Sequence, residues 1–157
     1  MKATEIKAQL IERAVMHLEE LVSNLKDDAK YQLRGEGSTD EGGFAGTSGD
    51  YSAISQENSL REQAQINRRE AQKYEATIKA LKAIDTTIEH DIVGQGCLIT
   101  TNRGHYFISR ALRPITINGK QFHFLATDAP IYKVMAGKKE GDKFEFRNIA
   151  YEIKSIC

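Results

Sequence analysis

The sequence has no tryptophan, only two prolines and two cysteines, and no excess of charge of either sign. With 22 basic and 22 acidic residues, it has no overall positive field that would attract nucleic acid, so any contact with a polyanion has to be local. Cys97 and Cys157 are far apart and form no Cys-x-x-Cys pair, which argues against a disulfide scaffold. A chain of 157 residues is long enough for one medium domain or two small ones.

Long apolar runs are also missing. No segment approaches the roughly 20 apolar residues that a bilayer span requires. The first residues, MKATEIKAQLIERAV, carry a charge every few positions and have no apolar core of signal-peptide length. We therefore expect a cytoplasmic protein with no membrane partner.

Two stretches without glycine or proline predict long helices. In residues 2–34, apolar residues alternate at spacings of three and four, a pattern typical of a coiled-coil seam: Ile11, Ala14, Leu18, Leu21 and Leu25. Residues 52–90 repeat the pattern with Leu60, Ala64, Asn67, Ala71, Tyr74, Ile78, Leu81, Asp85 and Ile88. Because neither helix can bury its stripe alone, we predict an antiparallel coiled-coil hairpin over residues 1–90. An intermolecular coiled coil is the alternative, and Asn67 is expected to set the register.

Residues 35–51 join the two predicted helices and contain six glycines. Between Gly35 and Asn58 there are five acidic residues and no lysine or arginine: Glu36, Asp40, Glu41, Asp50 and Glu57. Negative charge is therefore concentrated at the predicted tip of the hairpin. The simplest interpretation is that these acids keep a long loop soluble. Basic residues follow on the second helix, at Arg61, Arg68, Arg69 and Lys73. Two interpretations are open for them: a solvated helix face with ion pairs to Glu62 or Glu70, or a contact with RNA.

The second half has the period of strands. CLITT and HYFIS flank the turn Asn102–Gly104, and PITI and QFHFLA flank Asn118-Gly119, a strong signal for a type I′ hairpin. PIYKVMA is expected to form one short helix that begins with Pro130 and ends at Gly137. KFEF and IAYEIKSI complete the pattern as two strands. We predict a small antiparallel sheet domain with one helix over residues 91–157.

The end of the chain resembles the Gre family of bacterial transcript-cleavage factors. In that family Ser-Pro-Ile, a short apolar helix, Gly-Lys-x-x-Gly-Asp, an alternating strand and a terminal Tyr-x-Ile strand follow one another. The matching residues here are Pro130, Ile131, Gly137, Lys138, Gly141, Asp142, Tyr151 and Ile153. The resemblance implies an α+β architecture, with a long antiparallel helical hairpin followed by an FKBP-like sheet domain.

The resemblance also implies a role for the tip. The family motif Gly-Asp-x-Ser-Glu-Asn corresponds to Gly49-Asp50-Tyr51-Ser52 and, four residues later, to Glu57-Asn58. By that correspondence, Asp50 and Glu57 would assist catalysis and share a magnesium ion with the polymerase, while Ser52 and Asn58 would support them. Asp40 and Glu41 are alternative tip acids. Magnesium suits such a site because it takes carboxylate oxygens and keeps several waters.

The implied partner is bacterial RNA polymerase, whose secondary channel the hairpin would enter to stimulate cleavage of backtracked RNA. The chain would then be an accessory factor and not an enzyme, with no tightly bound cofactor and with magnesium supplied by the polymerase. Nascent RNA is a further candidate partner, DNA would be met only through the polymerase, and a monomer is expected. The alternatives are a channel-occupying regulator without cleavage, an FKBP-like peptide-binding domain and a coiled-coil adaptor.

Overall fold

A computed structural model describes the backbone of residues 2–34 and 50–157, and the side chains of residues 2–28 and 58–157. Two long helices come first, α1 (Ala3–Arg34) and α2 (Asp50–Lys82). Then follow β1 (Leu98–Thr101), β2 (Gly104–Ser109), β3 (Ile115–Ile117), β4 (Lys120–Ala126), α3 (Pro130–Met135), β5 (Lys143–Phe146) and β6 (Ile149–Ile156). In the described ranges no helix is long and apolar enough to cross a membrane.

This order confirms the predicted fold class, a long helix pair followed by a β domain with one short helix. The chain forms two compact units, which we call the sheet unit (Met1–Met16 with Lys79–Cys157) and the helical unit (His17–Ile78). The predicted division into domains 1–90 and 91–157 stays a prediction, because a compact unit need not be an independently folding domain.

The buried stripe of α1 contains two of the five predicted seam residues, Ala14 and Leu18, together with apolar residues beside the seam. Leu10, Ala14, Leu18 and Val22 are buried at a spacing of four, whereas Ile11, Leu21 and Leu25 are only half-buried. Val15 is buried as well, which makes the stripe wider than a strict coiled-coil seam.

On α2 the predicted seam is correct in the middle and wrong at the ends. Ala64, Asn67, Ala71 and Leu81 are buried, whereas Leu60, Asp85 and Ile88 are exposed. Asn67 accepts a hydrogen bond of 3.0 Å from Gln63 Nε2, so the oxygen of its side-chain amide has a partner on its own helix. In the helical unit, an ion pair joins Lys26 of α1 to Glu75 of α2.

The second helix ends at Lys82, eight residues before the predicted end at His90. Asp85 Oδ1 accepts hydrogen bonds from the backbone N–H of Thr87 at 2.9 Å and from its hydroxyl at 2.6 Å. An aspartate that bonds the backbone two residues onward forms a turn in competition with the helix. This local turn explains why an uninterrupted apolar period does not continue as helix.

The six strands form one sheet in the order β3-β4-β2-β1-β6-β5. Four of the five neighbouring pairs are antiparallel as predicted, but β2 and β4 are parallel. The difference arises because β3 lies at the sheet edge and its hairpin inserts β4 between β3 and β2. The Asn118-Gly119 turn has φ of 51° and 74°, as a type I′ hairpin requires.

Both faces of the sheet carry buried residues. One face holds a core cluster that includes Ile99, Ile108 and Ile153, with Met135 of α3 packed into it. Because side chains alternate along a strand, Leu98 and Phe107 point to the other face, where they are also buried. Phe107 meets Phe124 edge to face, with ring centroids 5.6 Å apart. In the same sheet unit, Arg13 of α1 donates a 2.8 Å bond to the carbonyl of Thr116.

Candidate functional site

The predicted tip acids lie partly in α2 and partly outside the described residues. Asp50 is the first residue of α2, and Ser52 and Glu57 follow within its first turns. Their side chains are outside the described residues, as are Asp40 and Glu41 altogether. Asn58 is the first residue of α2 with a described side chain, and it is exposed. The catalytic and metal-binding roles of these residues therefore remain predictions.

The residues that split the tip motif are helical. Positions 53–56 lie inside α2, so the insertion relative to the family motif adds about one turn of helix. At 1.5 Å per residue, the backbones of Asp50 and Glu57 are about 10 Å apart along the axis, compared with about 4.5 Å for residues three positions apart on a helix, the spacing of the two acids in the motif. The first turns of α2 thus separate the two acids more widely than the resemblance implies.

The four basic residues of α2 form an exposed face. Arg61, Arg68, Arg69 and Lys73 are all exposed, over a length of about 18 Å by helix rise. Arg68, Arg69 and Lys73 make no ion pair within the described ranges, so the expected pairing of these three with Glu62 or Glu70 is absent there. A solvated basic face is therefore present, and its predicted contact with RNA remains a prediction.

The family signature forms the turns around α3. Pro130 is the first residue of this helix, and Ile131 packs against the core. Gly137 ends the helix with φ of 77°, a conformation that favours glycine, and its N–H donates to the carbonyl of Val93 at 3.1 Å. The carbonyl of Lys138 accepts a 2.9 Å bond from Val93 N–H in return.

Gly141 and Asp142 complete this element. The Asp142 carboxylate accepts a 2.8 Å bond from the Lys139 N–H and so closes the turn between α3 and β5. The N–H of Gly141 donates to Ile153 at 2.8 Å, and the N–H of Ile153 donates to Asp142 at 2.9 Å. The signature residues thus hold α3 and the turn that follows it to β6, which is a structural role.

A cluster of titratable side chains in the sheet unit was not predicted. Lys7 is fully buried, and its ammonium donates a 3.0 Å bond to the carbonyl of Ile88. Burial lowers the pKa of Lys7, although the nearby thiols and Glu89 oppose that shift. Burial and the neighbouring Lys7 also lower the pKa of His90, which favours its neutral imidazole. The burial of Lys7 could have been predicted from the sequence, because Lys7 lies seven residues before Ala14 and so has the same heptad position in the α1 seam.

Cys97 lies close to this cluster, and its thiol is in surroundings that give it low reactivity. Its thiol is fully buried, donates to the carbonyl of Ile92 at 3.2 Å and accepts from Gly94 N–H at 3.2 Å. Burial raises the pKa of Cys97, and the bond from Gly94 and the charge of Lys7 offset only part of that rise. A protonated buried thiol is a poor nucleophile.

An open pocket of about 250 Å³ lies at the end of α2 and is lined by Ala80, Ala83, Ile84, Asp85, Ile88, His90, Gln95 and Gly96. It is smaller than the pockets of about 300–1,000 Å³ that hold small-molecule ligands. Asp85 is engaged with Thr87, and His90 has no acidic partner in the part of the chain that is described. No group of three or more histidine, cysteine, aspartate or glutamate residues able to hold a metal occurs among the described residues. Among the described residues, the lining thus offers two titratable side chains, Asp85 and His90, and no third ligand that would complete a metal site.

Comparisons with known proteins identify similar solved structures only. No family model matches the chain, and no curated protein sequence matches it significantly. The crystal structure of GreA factor homolog 1 (Gfh1) from Thermus thermophilus is similar with 14% identity and a TM-score of 0.33, covering 94% of each chain. A structure of the transcription factor Gfh1 is similar with 15% identity and a TM-score of 0.33, covering 93% of this chain and 92% of that one.

Proposed function

We propose that this chain binds bacterial RNA polymerase and that its helix pair enters the secondary channel, where the acids at the start of α2 act beside the catalytic magnesium. One observation carries the proposal. The residues that resemble the Gre signature, from Pro130 to Asp142, form a short helix that begins at Pro130 and a hydrogen-bonded turn that ends at Asp142, in the order in which the signature has them. In the Gre family this element accompanies a helical hairpin with an acidic tip.

The dimensions and charges of the helix pair suit this role. Helices of 32 and 33 residues are each about 50 Å long, which suits delivery of a group into a deep channel. Hydrolysis of a phosphodiester by two metal ions needs one ion that activates water and one that stabilises the leaving oxygen. Added carboxylates strengthen the binding of a second magnesium ion, and Asp50 and Glu57 are the candidates. The polymerase would supply the remaining ligands, so the chain is proposed as an accessory factor.

A second candidate function is occupation of the channel without cleavage. It is favoured by the additional helical turn between Asp50 and Glu57, which lengthens their separation by about 6 Å. Two carboxylates that must reach the same ion tolerate little displacement, because magnesium demands near-ideal octahedral geometry at about 2.1 Å. A factor with widely spaced acids would still bind the channel and modulate elongation or initiation.

The assay that separates the two uses purified RNA polymerase stalled in a backtracked complex with magnesium. If the tip supports cleavage, the wild-type protein releases short 3′ RNA fragments, and Asp50→Ala and Glu57→Ala each slow release by at least about tenfold, the loss expected when a metal-binding carboxylate is removed. The matched control is Glu70→Ala, which removes an exposed acid from the same helix and should leave the rate within twofold.

Competition with a Gre factor supplies the second measurement. A protein that competes for polymerase but releases no fragment supports channel occupation and rejects cleavage. A protein that neither competes nor releases RNA contradicts the assignment to transcription altogether.

A further inference from the structure

Two hairpin turns lie at the same end of the sheet. The β1–β2 turn at Asn102 and Arg103 follows directly on Thr101, which pairs with Ile153 of β6. The β5–β6 turn at Arg147 and Asn148 lies just before the start of β6. Each turn carries one exposed arginine, Arg103 or Arg147, and each arginine lies over an aromatic ring. This end of the sheet is assigned no role by the proposed function.

The guanidinium of Arg103 is held in a fixed orientation. Its Nε donates a 3.1 Å bond to the carbonyl of Ala150, and its guanidinium carbon lies 6.0 Å from the centroid of the Tyr151 ring. Tyr151 in turn stacks on Phe144, with centroids 4.9 Å apart and an interplanar angle of 2°. Within the described ranges no acidic side chain pairs with Arg103, so its terminal nitrogens face solvent with their donors unused.

The turn that carries Arg103 is braced by side chains. The Thr101 hydroxyl accepts bonds from the N–H groups of Arg103 and Gly104 at 3.1 and 3.2 Å, and donates to the Gly104 carbonyl at 3.1 Å. Asn102 makes two bonds to Glu152, one through its N–H at 3.1 Å and one through its side-chain oxygen at 3.0 Å. A turn held in this way loses little conformational entropy when a ligand binds.

Two phenols lie beside the guanidinium. The hydroxyl of Tyr106 is hydrogen-bonded to Tyr151, whose ring lies under the Arg103 guanidinium. Burial is the main cause of a raised pKa at Tyr106, with Tyr151 contributing and Arg103 opposing. This bond and the burial favour the protonated phenol, so Tyr106 helps to fix the Tyr151 ring beside Arg103.

Arg147 provides a second cation at this end of the sheet. Its guanidinium carbon lies 5.2 Å from the centroid of Phe146. The segment 91–157 as a whole has ten lysine and arginine residues against six aspartate and glutamate residues, a net charge of +4 on a neutral protein. Charge complementarity therefore favours an acidic partner for this part of the chain.

We propose that this end of the sheet is a docking surface for an acidic segment of a partner protein, in which Arg103 binds one carboxylate through both terminal nitrogens and Arg147 binds a second. The arginine fork matches the two oxygens of a carboxylate. A surface for single-stranded nucleic acid presents free aromatic faces on which bases stack. Here the arginines and Phe144 occupy the faces of Tyr151 and Phe146, which favours a protein partner.

The test uses the full-length protein labelled with ¹⁵N and a synthetic hexaglutamate peptide as the probe, followed by NMR at low salt. We expect amide shifts to concentrate at residues 101–104 and 147–152. Arg103→Gln should weaken binding by about tenfold or more, because it removes a charge-assisted pair of hydrogen bonds. Arg103→Lys should give an intermediate loss, since it keeps the charge and loses the fork.

The matched control is Arg110→Gln, an exposed arginine at the opposite end of β2, which removes the same charge and should change affinity by less than twofold. Equal weakening by Arg110→Gln would show attraction by net charge alone and overturn the proposal. Tighter binding of an oligouridine than of the peptide at the same residues would also overturn it. If the Arg103→Gln variant does not fold, Arg147→Gln and Tyr151→Phe replace it in the test. Each should weaken peptide binding by about threefold or more. Unchanged affinity in both variants would reject the site.

Discussion

Lys7 is the residue with the most unusual surroundings among those described. Its side chain is fully buried and its ammonium has one hydrogen-bond acceptor, the carbonyl of Ile88. Removing a charge from water is costly, and here one hydrogen bond and distant charges offset only part of that cost. The buried ammonium joins the start of α1 to the segment after α2 at the expense of stability.

We predict that Lys7→Met leaves the free energy of unfolding unchanged or raises it by about 1 kcal/mol at pH 7, because methionine fills a similar volume without a charge. Lys7→Ala should lower it by about 2 kcal/mol or more through the cavity it leaves. Urea unfolding measures both changes. Lys79→Met, which alters an exposed lysine, is the control and should have little effect.

The contribution of Lys7 to the free energy of unfolding changes with pH in a definite direction. The pKa of Lys7 is lowered in the folded protein, so above that pKa the unfolded chain binds more protons and stability rises with pH. The rise ends near pH 10.5, the ordinary pKa of lysine. The wild type should therefore gain stability relative to Lys7→Met between pH 7 and pH 10, as measured by urea unfolding of both proteins at each pH. A wild type that gains no stability relative to Lys7→Met over this range would contradict a lowered pKa for Lys7.

The two cysteines should differ strongly in reactivity. Cys97 is fully buried with its pKa raised by burial, whereas Cys157 is half-buried. At pH 7.5 iodoacetamide should label Cys157 at least about tenfold faster than Cys97, as followed by intact mass. The Cys157→Ser variant should remain unlabelled until it is denatured. Rapid labelling of Cys97 in that variant would mean that the start of β1 opens readily.

At the scale of elements, the turn after α3 depends on one carboxylate. Asp142→Ala removes the bond to Lys139 N–H and should lower the free energy of unfolding by about 1 kcal/mol, a value typical of a lost capping interaction. Urea unfolding is the measurement. Glu140→Ala, an exposed acid in the same turn, is the control and should change stability by less than half as much. Equal effects would assign the loss to charge and not to the hydrogen bond.

Several turns could be predicted because their conformations are local. Asn118-Gly119 and Gly137 adopt positive φ where the sequence indicates a type I′ turn and a helix end. The β5–β6 turn could not be read in this way, because Arg147 and Asn148 adopt φ of 51° and 63° without any glycine. The register of β5 on β6 holds them there, and register depends on contacts between strands.

At the scale of the whole molecule, Asn67 bears on the oligomeric state. It is buried in the helical unit, in a stripe that otherwise contains Ala64 and Ala71. A polar residue at a seam position disfavours alternative pairings at some cost in stability. We predict a monomer for the wild type, and a concentration-dependent dimer for Asn67→Leu. Sedimentation velocity at two concentrations tests both, with Gln65→Leu, an exposed position on the same helix, as the control.

A dimer of the wild type at low concentration would favour the coiled-coil adaptor among the alternatives. A monomer for both variants would mean that Asn67 does not control association. Neither result depends on the proposed binding to polymerase.

Apolar periodicity and turn residues alone determined the two long helices, the order of the strands along the chain and the position of α3. They succeed because helix and strand periods and turn conformations depend on neighbours within a few residues. Tertiary structure decided which apolar residues of α1 are fully buried, the parallel pairing of β2 with β4, the burial of Lys7 and the meeting of Arg103 with Tyr151. Each of these depends on which distant segments pack together, because burial and charge pairing are properties of the space around a side chain.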